Sequence, residues 1–366
     1  MMDSVLPFLK SILSVPGLSA HETPVARLIE EKWKPLLDEV AIGRLGSLHG
    51  LKKGHGNDPR PSVMIATHMD AIGLMVTKVV DGFMHITQVG DVDSRVLPGA
   101  AVTVHASGSD EDLPAVIAMR PAKLLPEGVG DGVVGFEHLL VDTGLTPGEV
   151  ERKVRVGDLV SFAYEPAMLA GDVISGHALD NRASIAALTV CLEELQTKPH
   201  VWDVWAVATS QEEETYAGAY SSAYELHPQI AVAVDVTFAK VPVVSDKSAF
   251  HLGDDDDWRT FHMGQGVPLG LGPNIHPFIL NRLKEIADRV EIPWALDVMP
   301  AHSDTDAYPM QVTAEGIPTG LVEIPLRYMH TPVESVLIKD IQRAGRLLAE
   351  FIASLEADFA ERIVWE

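Results

Sequence analysis

His68, Asp180, Glu213, Asp235 and His330 bring two imidazoles and three carboxylates to one chain, the donor types by which proteins hold divalent metals. The adjacent pair Glu212-Glu213 adds a chemical step. Neighbouring residues leaving a strand point in different directions, so one carboxylate can hold a metal while the other takes the proton of an attacking water. That is the chemistry of hydrolysis assisted by two metals. Such a site needs one carboxylate shared between the ions, further nitrogen or oxygen ligands on each side, and room for water.

Each residue alone also has an ordinary reading. Asp180 in HALDNR stands where a helix N-cap is expected, and Asp235 follows AVAV where a strand could simply end. His68 and Asp70 would pass as polar strand-end residues, His330 as a hydrogen-bonded core histidine and Glu212 as a solvated neighbour of a true ligand. The joint pattern outweighs these readings. Asp70 lies two residues after His68, on the same side of an extended segment. Its carboxylate can accept from the imidazole nitrogen turned away from metal, which fixes the tautomer and supports catalysis.

The elements that must position these groups are visible as patterns. The first seventy residues read helix, helix, strand, the last being the Val63 to Ala66 run that ends at His68. After Gly73 the texture changes to short β-rich segments punctuated by Asp81-Gly82, Pro98-Gly99, Pro147-Gly148 and Gly157-Asp158, which predicts a small β domain over 73–165 inserted between 1–72 and 166–366. From about Ala170 helices and strands alternate again. A helix follows Asp180, strands run from Val204 to Thr209 and from Ile230 to Asp235, and the tail from Glu334 carries an apolar helical face. This alternation predicts an α/β layered fold with a mainly parallel central sheet, whose ligands gather at the carboxyl ends of the strands.

Composition narrows the function classes. With 28 Lys+Arg against 52 Asp+Glu the formal charge is −24, which argues against nucleic acid and anionic membrane surfaces as partners. Cys191 is the only cysteine, so intrachain disulfides and thiolate metal clusters are excluded and packing is its expected role. The N-terminal stretch lacks a basic region and a small-residue cleavage site, and no run approaches the roughly 20 apolar residues of a membrane span, which points to the cytoplasm. The acidic run at 253–258 reads as a solvated turn.

PGLSAHE, THMDAIGLMV, HALDNR, ATSQEEETYAG, VAVDVT, LGPNIHP, SDTDA and EGIPTGLVEIPLRYMHTPVE occur in this order along nearly the whole chain. In this the chain resembles the tetrahedral, TET-type metallo-aminopeptidases, the glutamyl and deblocking aminopeptidase group. The resemblance implies a hydrolase-like catalytic domain that uses two divalent metals, zinc or cobalt, to remove N-terminal residues from peptides. It implies that His68 and Asp235 hold one metal, that Glu213 and His330 hold the other, that Asp180 bridges them and that Glu212 is the general base. It further implies that the insert is a PDZ-like β-barrel that pairs subunits, with dimers assembling into a tetrahedral homododecamer. Ala71 stands where the family usually has Glu, and His177 where Lys is common. The same site would also serve a two-metal deacylase of small amides, and paired carboxylates without metal would serve a glycoside hydrolase.

Overall fold

A computed structural model describes residues 2–126, 132–241 and 260–364 of the chain. The 253–258 run lies outside the described residues. The central sheet runs in the order Glu39–Ile42, Leu48–Lys52, Asp203–Thr209, Ser62–His68, Ile230–Phe238, Thr319–Arg327, Glu334–Leu337, Val173–Gly176 and Ala167–Met168. Val267–Leu271 and Trp294–Val298 branch from it at Thr319–Arg327.

The four strands Asp203–Thr209, Ser62–His68, Ile230–Phe238 and Thr319–Arg327 are mutually parallel, and pairing turns antiparallel outward on both sides. Their sequences explain this. SVMIATH, IAVAVDVTF and TGLVEIPLR are buried nearly end to end, as strands covered on both faces must be. The helix Leu179–Glu194 packs against this sheet and against Ile338–Ala353. The two helices meet closely at Gly345, where a Cβ would strike the Ala187 carbonyl and come within 2.7 Å of the Val190 Cβ. Cys191 lies buried in this layer, and burial pushes its thiol up. Among the described residues no helix is long and apolar enough to cross a membrane.

The insert folds as the β texture predicts. Gly73–Val80, Phe83–Val89, Leu139–Asp142, Leu113–Met119, Ala101–His105 and Leu159–Phe162 close into a barrel, in that order around it. Here burial alternates along the strand, as in LPAVIAM, because one face meets a small core of its own and the other meets solvent.

Four strands depart from the expected pattern. Glu39–Ile42 and Leu48–Lys52 form a hairpin at one edge of the sheet that the reading of helix, helix, strand leaves out. The first of these strands is short and mostly exposed, and Gly50 interrupts the second, so neither shows a sustained period. Ile230–Phe238 does not end at Asp235 but continues three residues beyond it, held by pairing with Thr319–Arg327. Glu334–Leu337 is a strand, and the tail helix begins only at Ile338.

Candidate metal centre

The residues singled out from the sequence meet at the carboxyl ends of the parallel strands. His68 is the last residue of Ser62–His68, and Glu212 and Glu213 open the short helix just past Asp203–Thr209. Asp180 is the second residue of Leu179–Glu194, Asp235 lies within Ile230–Phe238, and His330 sits between Thr319–Arg327 and Glu334–Leu337. The His68 Nε2 is 3.2 Å from Asp180 Oδ1, and the His330 Nε2 is 3.4 Å from Asp180 Oδ2. One carboxylate therefore faces both imidazoles, one oxygen to each. On the His68 side, Glu212 Oε2 and Asp235 Oδ1 lie at 3.7 and 3.8 Å from Nε2; on the other, Glu213 Oε2 lies 3.8 Å from the His330 Nε2.

Electrostatics fit a cation at this place. Burial first, then repulsion among the carboxylates, pushes Glu212, Glu213 and Asp235 well above the ordinary range against the pull of His68. Burial also opposes the charge on Asp180 and on His68, yet their contacts with oppositely charged neighbours hold Asp180 far below its usual value and His68 well above. Carboxylates packed this densely away from water need positive charge among them. Donor atoms of His68, Glu212 and Asp235 lie within 4.8 Å of one another, as do those of His68, Asp180 and Glu213, close enough for shared ions. The donor set thus fits divalent metals.

Around this cluster the backbone is clasped by further carboxylates. Asp70, fully buried, accepts from the Glu212 N–H at 3.0 Å, the Glu213 N–H at 3.2 Å and the Ser19 hydroxyl at 2.5 Å, and its Oδ1 is 3.5 Å from the His68 Nδ1. Burial opposes ionisation of Asp70, but these partners keep its carboxyl below the usual range. Glu22 accepts from the Gln211 N–H at 3.0 Å, one residue earlier in the same turn, and is itself pushed up to about 6 by burial. Gln211 has φ 58°, a left-handed backbone that side-chain-bearing residues adopt only when their surroundings hold them there. The Arg182 guanidinium, buried beside Asp180, donates to the carbonyls of Ile12, Val15 and Met69, tying the helix start to the loop after His68.

Residues 46–347 match the M42 glutamyl aminopeptidase family. The chain belongs to it. A lysyl aminopeptidase of Pyrococcus furiosus is 30% identical over 95% of this chain and 96% of its own. The structure of an aminopeptidase from the archaeon Desulfurococcus kamchatkensis superposes with TM-score 0.87 at 30% identity, covering 99% of this chain and 98% of that one. The TET1 peptidase of Pyrococcus horikoshii shares the fold with TM-score 0.79 at 23% identity, covering 96% and 100%; that protein assembles into a tetrahedron or a large octahedral shell. This M42 member is a peptidase, a hydrolase of peptide bonds.

Within the M42 site the sequence reading passed over several buried carboxylates. Glu334, buried, accepts from the Asp180 N–H and from the His330 N–H, each at 3.0 Å, and so fixes the spacing of two candidate ligands. It lies inside the TPVE motif, where the apolar stripe of the tail hid it. Asp306 of SDTDA was likewise given no role; it is buried, accepts from the Thr209 hydroxyl at 2.5 Å and is pushed up to about 6 by burial. The two departures from the family pattern are both buried. Ala71 is buried and its N–H donates to the Gly17 carbonyl at 3.0 Å. His177 packs edge-on against Phe162 at 4.9 Å, and burial together with the Arg182 charge depresses it to about 3, so it is neutral.

Proposed function

We propose that this chain is a two-metal aminopeptidase that removes residues from the free N-terminus of peptides. The observation that carries the reading is the placement of Asp180, whose two oxygens face the Nε2 atoms of His68 and His330. His68 and Asp235 would hold one ion, Glu213 and His330 the other, and Asp180 would be shared. Two divalent ions, zinc or cobalt, would supply Lewis-acid activation of a water and of the scissile carbonyl. Glu212, buried against His68 and raised in proton affinity, takes the proton of the attacking water and returns it to the departing amine. Asp70 holds His68 and the backbone of both glutamates in register. The cluster opens into a cavity of ≈ 370 Å³ lined also by Tyr216, Thr237, Ser303 and Met329, room for one terminal residue.

The test is substrate polarity. The enzyme should shorten a peptide one residue at a time from its N-terminus and leave the N-acetylated copy intact, as followed by mass spectrometry. Internal cuts would point to an endopeptidase and equal rates on the acetylated copy to an amide hydrolase indifferent to the terminal amine, and either would overturn the aminopeptidase reading.

We further propose that 73–165 is the pairing unit and that 1–72 and 166–366 together form the catalytic unit, with dimers building a dodecamer. Supporting this, the barrel exposes Phe83, Met119 and Leu124 around a cavity of ≈ 640 Å³. Light scattering on a gel-filtered sample should give twelve times the 39.6 kDa subunit mass. A monomer at micromolar concentration with metal bound would refute the assembly and leave the catalytic reading standing.

A further inference from the structure

The two imidazoles are held in parallel fashion, and the parallel brings in a residue from the insert. His68 turns Nε2 to Asp180 Oδ1 at 3.2 Å and Nδ1 to Asp70, whose backbone carbonyl lies at 3.3 Å and whose Oδ1 lies at 3.5 Å. His330 turns Nε2 to Asp180 Oδ2 at 3.4 Å, and its Nδ1 faces Asp91 Oδ2 at 3.8 Å. Asp70 belongs to the same polypeptide layer as the ligands. Asp91 does not: it lies just past the barrel strand Phe83–Val89, in the wall of the cavity that holds the cluster.

We propose that Asp91 is a positioning residue for the His330 half of the centre, so that the inserted barrel completes a site otherwise built by the central sheet. The inference rests on the two-metal reading. A histidine that ligates through one nitrogen is oriented by what the other nitrogen donates to, and a carboxylate there also raises the basicity of the ligand. The separation of 3.8 Å is that of an ion pair and not of a formed hydrogen bond. The Asp91 side chain is 87% exposed, so no packing holds it at that distance.

The backbone that carries Asp91 is anchored at the site. The Gly90 N–H donates to Glu214 Oε1 at 2.6 Å, on the same short helix as Glu212 and Glu213. Gly90 has φ +73°, and a Cβ there would come within 2.5 Å of the Ile72 Cγ2, so only glycine lets the loop approach this closely. Two residues further on, Asp93 is engaged differently, with both oxygens bound by the Arg95 guanidinium. It is an internal control of the same charge.

The experiment counts zinc retained by the purified full chain under graded chelator, alongside its melting temperature. Wild type should hold two ions. Asp91→Ala should lose one of them about 10- to 100-fold more readily and keep the other as wild type does, with the melting temperature of the metal-free protein unchanged. Asp91→Asn, whose amide oxygen still accepts from Nδ1–H, should recover most of the difference, and Asp93→Ala should match wild type. Two ions held by Asp91→Ala as tightly as by wild type would overturn the proposal, and so would an equal loss in Asp93→Ala, which would reduce the effect to general charge. Fewer than two ions in wild type would bring down the two-metal reading itself, a result distinct from failure of Asp91 alone.

Discussion

Glu212→Gln should keep the fold and both metals while turnover falls on the order of 10²-fold or more. The substitution preserves shape and size and removes the basic oxygen. It leaves the turn intact, because the bond that fixes residue 212 runs from its backbone N–H to Asp70 and not from its side chain. The result discriminates between two roles that the geometry alone permits. The Glu212 carboxylate is within 4.8 Å of donor atoms on His68 and Asp235, so it is close enough to ligate as well as to move a proton. A ligand replaced by Gln would lower the metal content together with the rate. A base replaced by Gln loses rate alone. Metal analysis beside steady-state kinetics separates them, and a wild-type rate would remove Glu212 from the mechanism.

What the sequence made legible was chemistry attached to short motifs and regular periods. Continuous apolar runs such as VMIA and AVAV identify covered parallel strands, and the polar residues that follow them fall at the carboxyl ends where a site forms. The shift to alternating short segments after Gly73 likewise marks the barrel. Missing were the groups whose role depends on long-range approach. Glu334 acts on Asp180 across 154 residues and Glu22 on Gln211 across 189, and neither separation leaves a local periodic trace. Asp91 is hidden for a further reason. A β insert reads from sequence as remote from the ligands, whereas folding brings its Gly90-Asp91 loop against Glu214 and His330. Asp235 reads from the sequence as a strand end but lies inside the strand, because a charge after AVAV looks like a boundary and its pairing with Glu323 in the neighbouring strand is not a sequence property.

Asp180→Ala should remove bound metal and abolish turnover, the largest loss expected from any single change at the centre. Among the described residues Asp180 alone has carboxylate oxygens within 3.5 Å of both imidazoles, and deleting it leaves the Nε2 atoms of His68 and His330 without their shared anion. The fold should survive. The Asp180 N–H still donates to Glu334, Asn181 still bonds the Val234 carbonyl at 2.9 Å, and Arg182 still holds the carbonyls of Val15 and Met69. Burial opposes its charge, but the contacts with those imidazoles hold the Asp180 carboxyl below its usual range. Asp70→Asn provides the contrast: it touches His68 and the backbone of residues 212 and 213, and should slow the reaction while retaining metal better than Asp180→Ala does. Elemental analysis of the purified variants decides the matter. Two ions per subunit in Asp180→Ala would rule out a bridging carboxylate, and the centre would then have to be redrawn as two independent sites around His68 and His330.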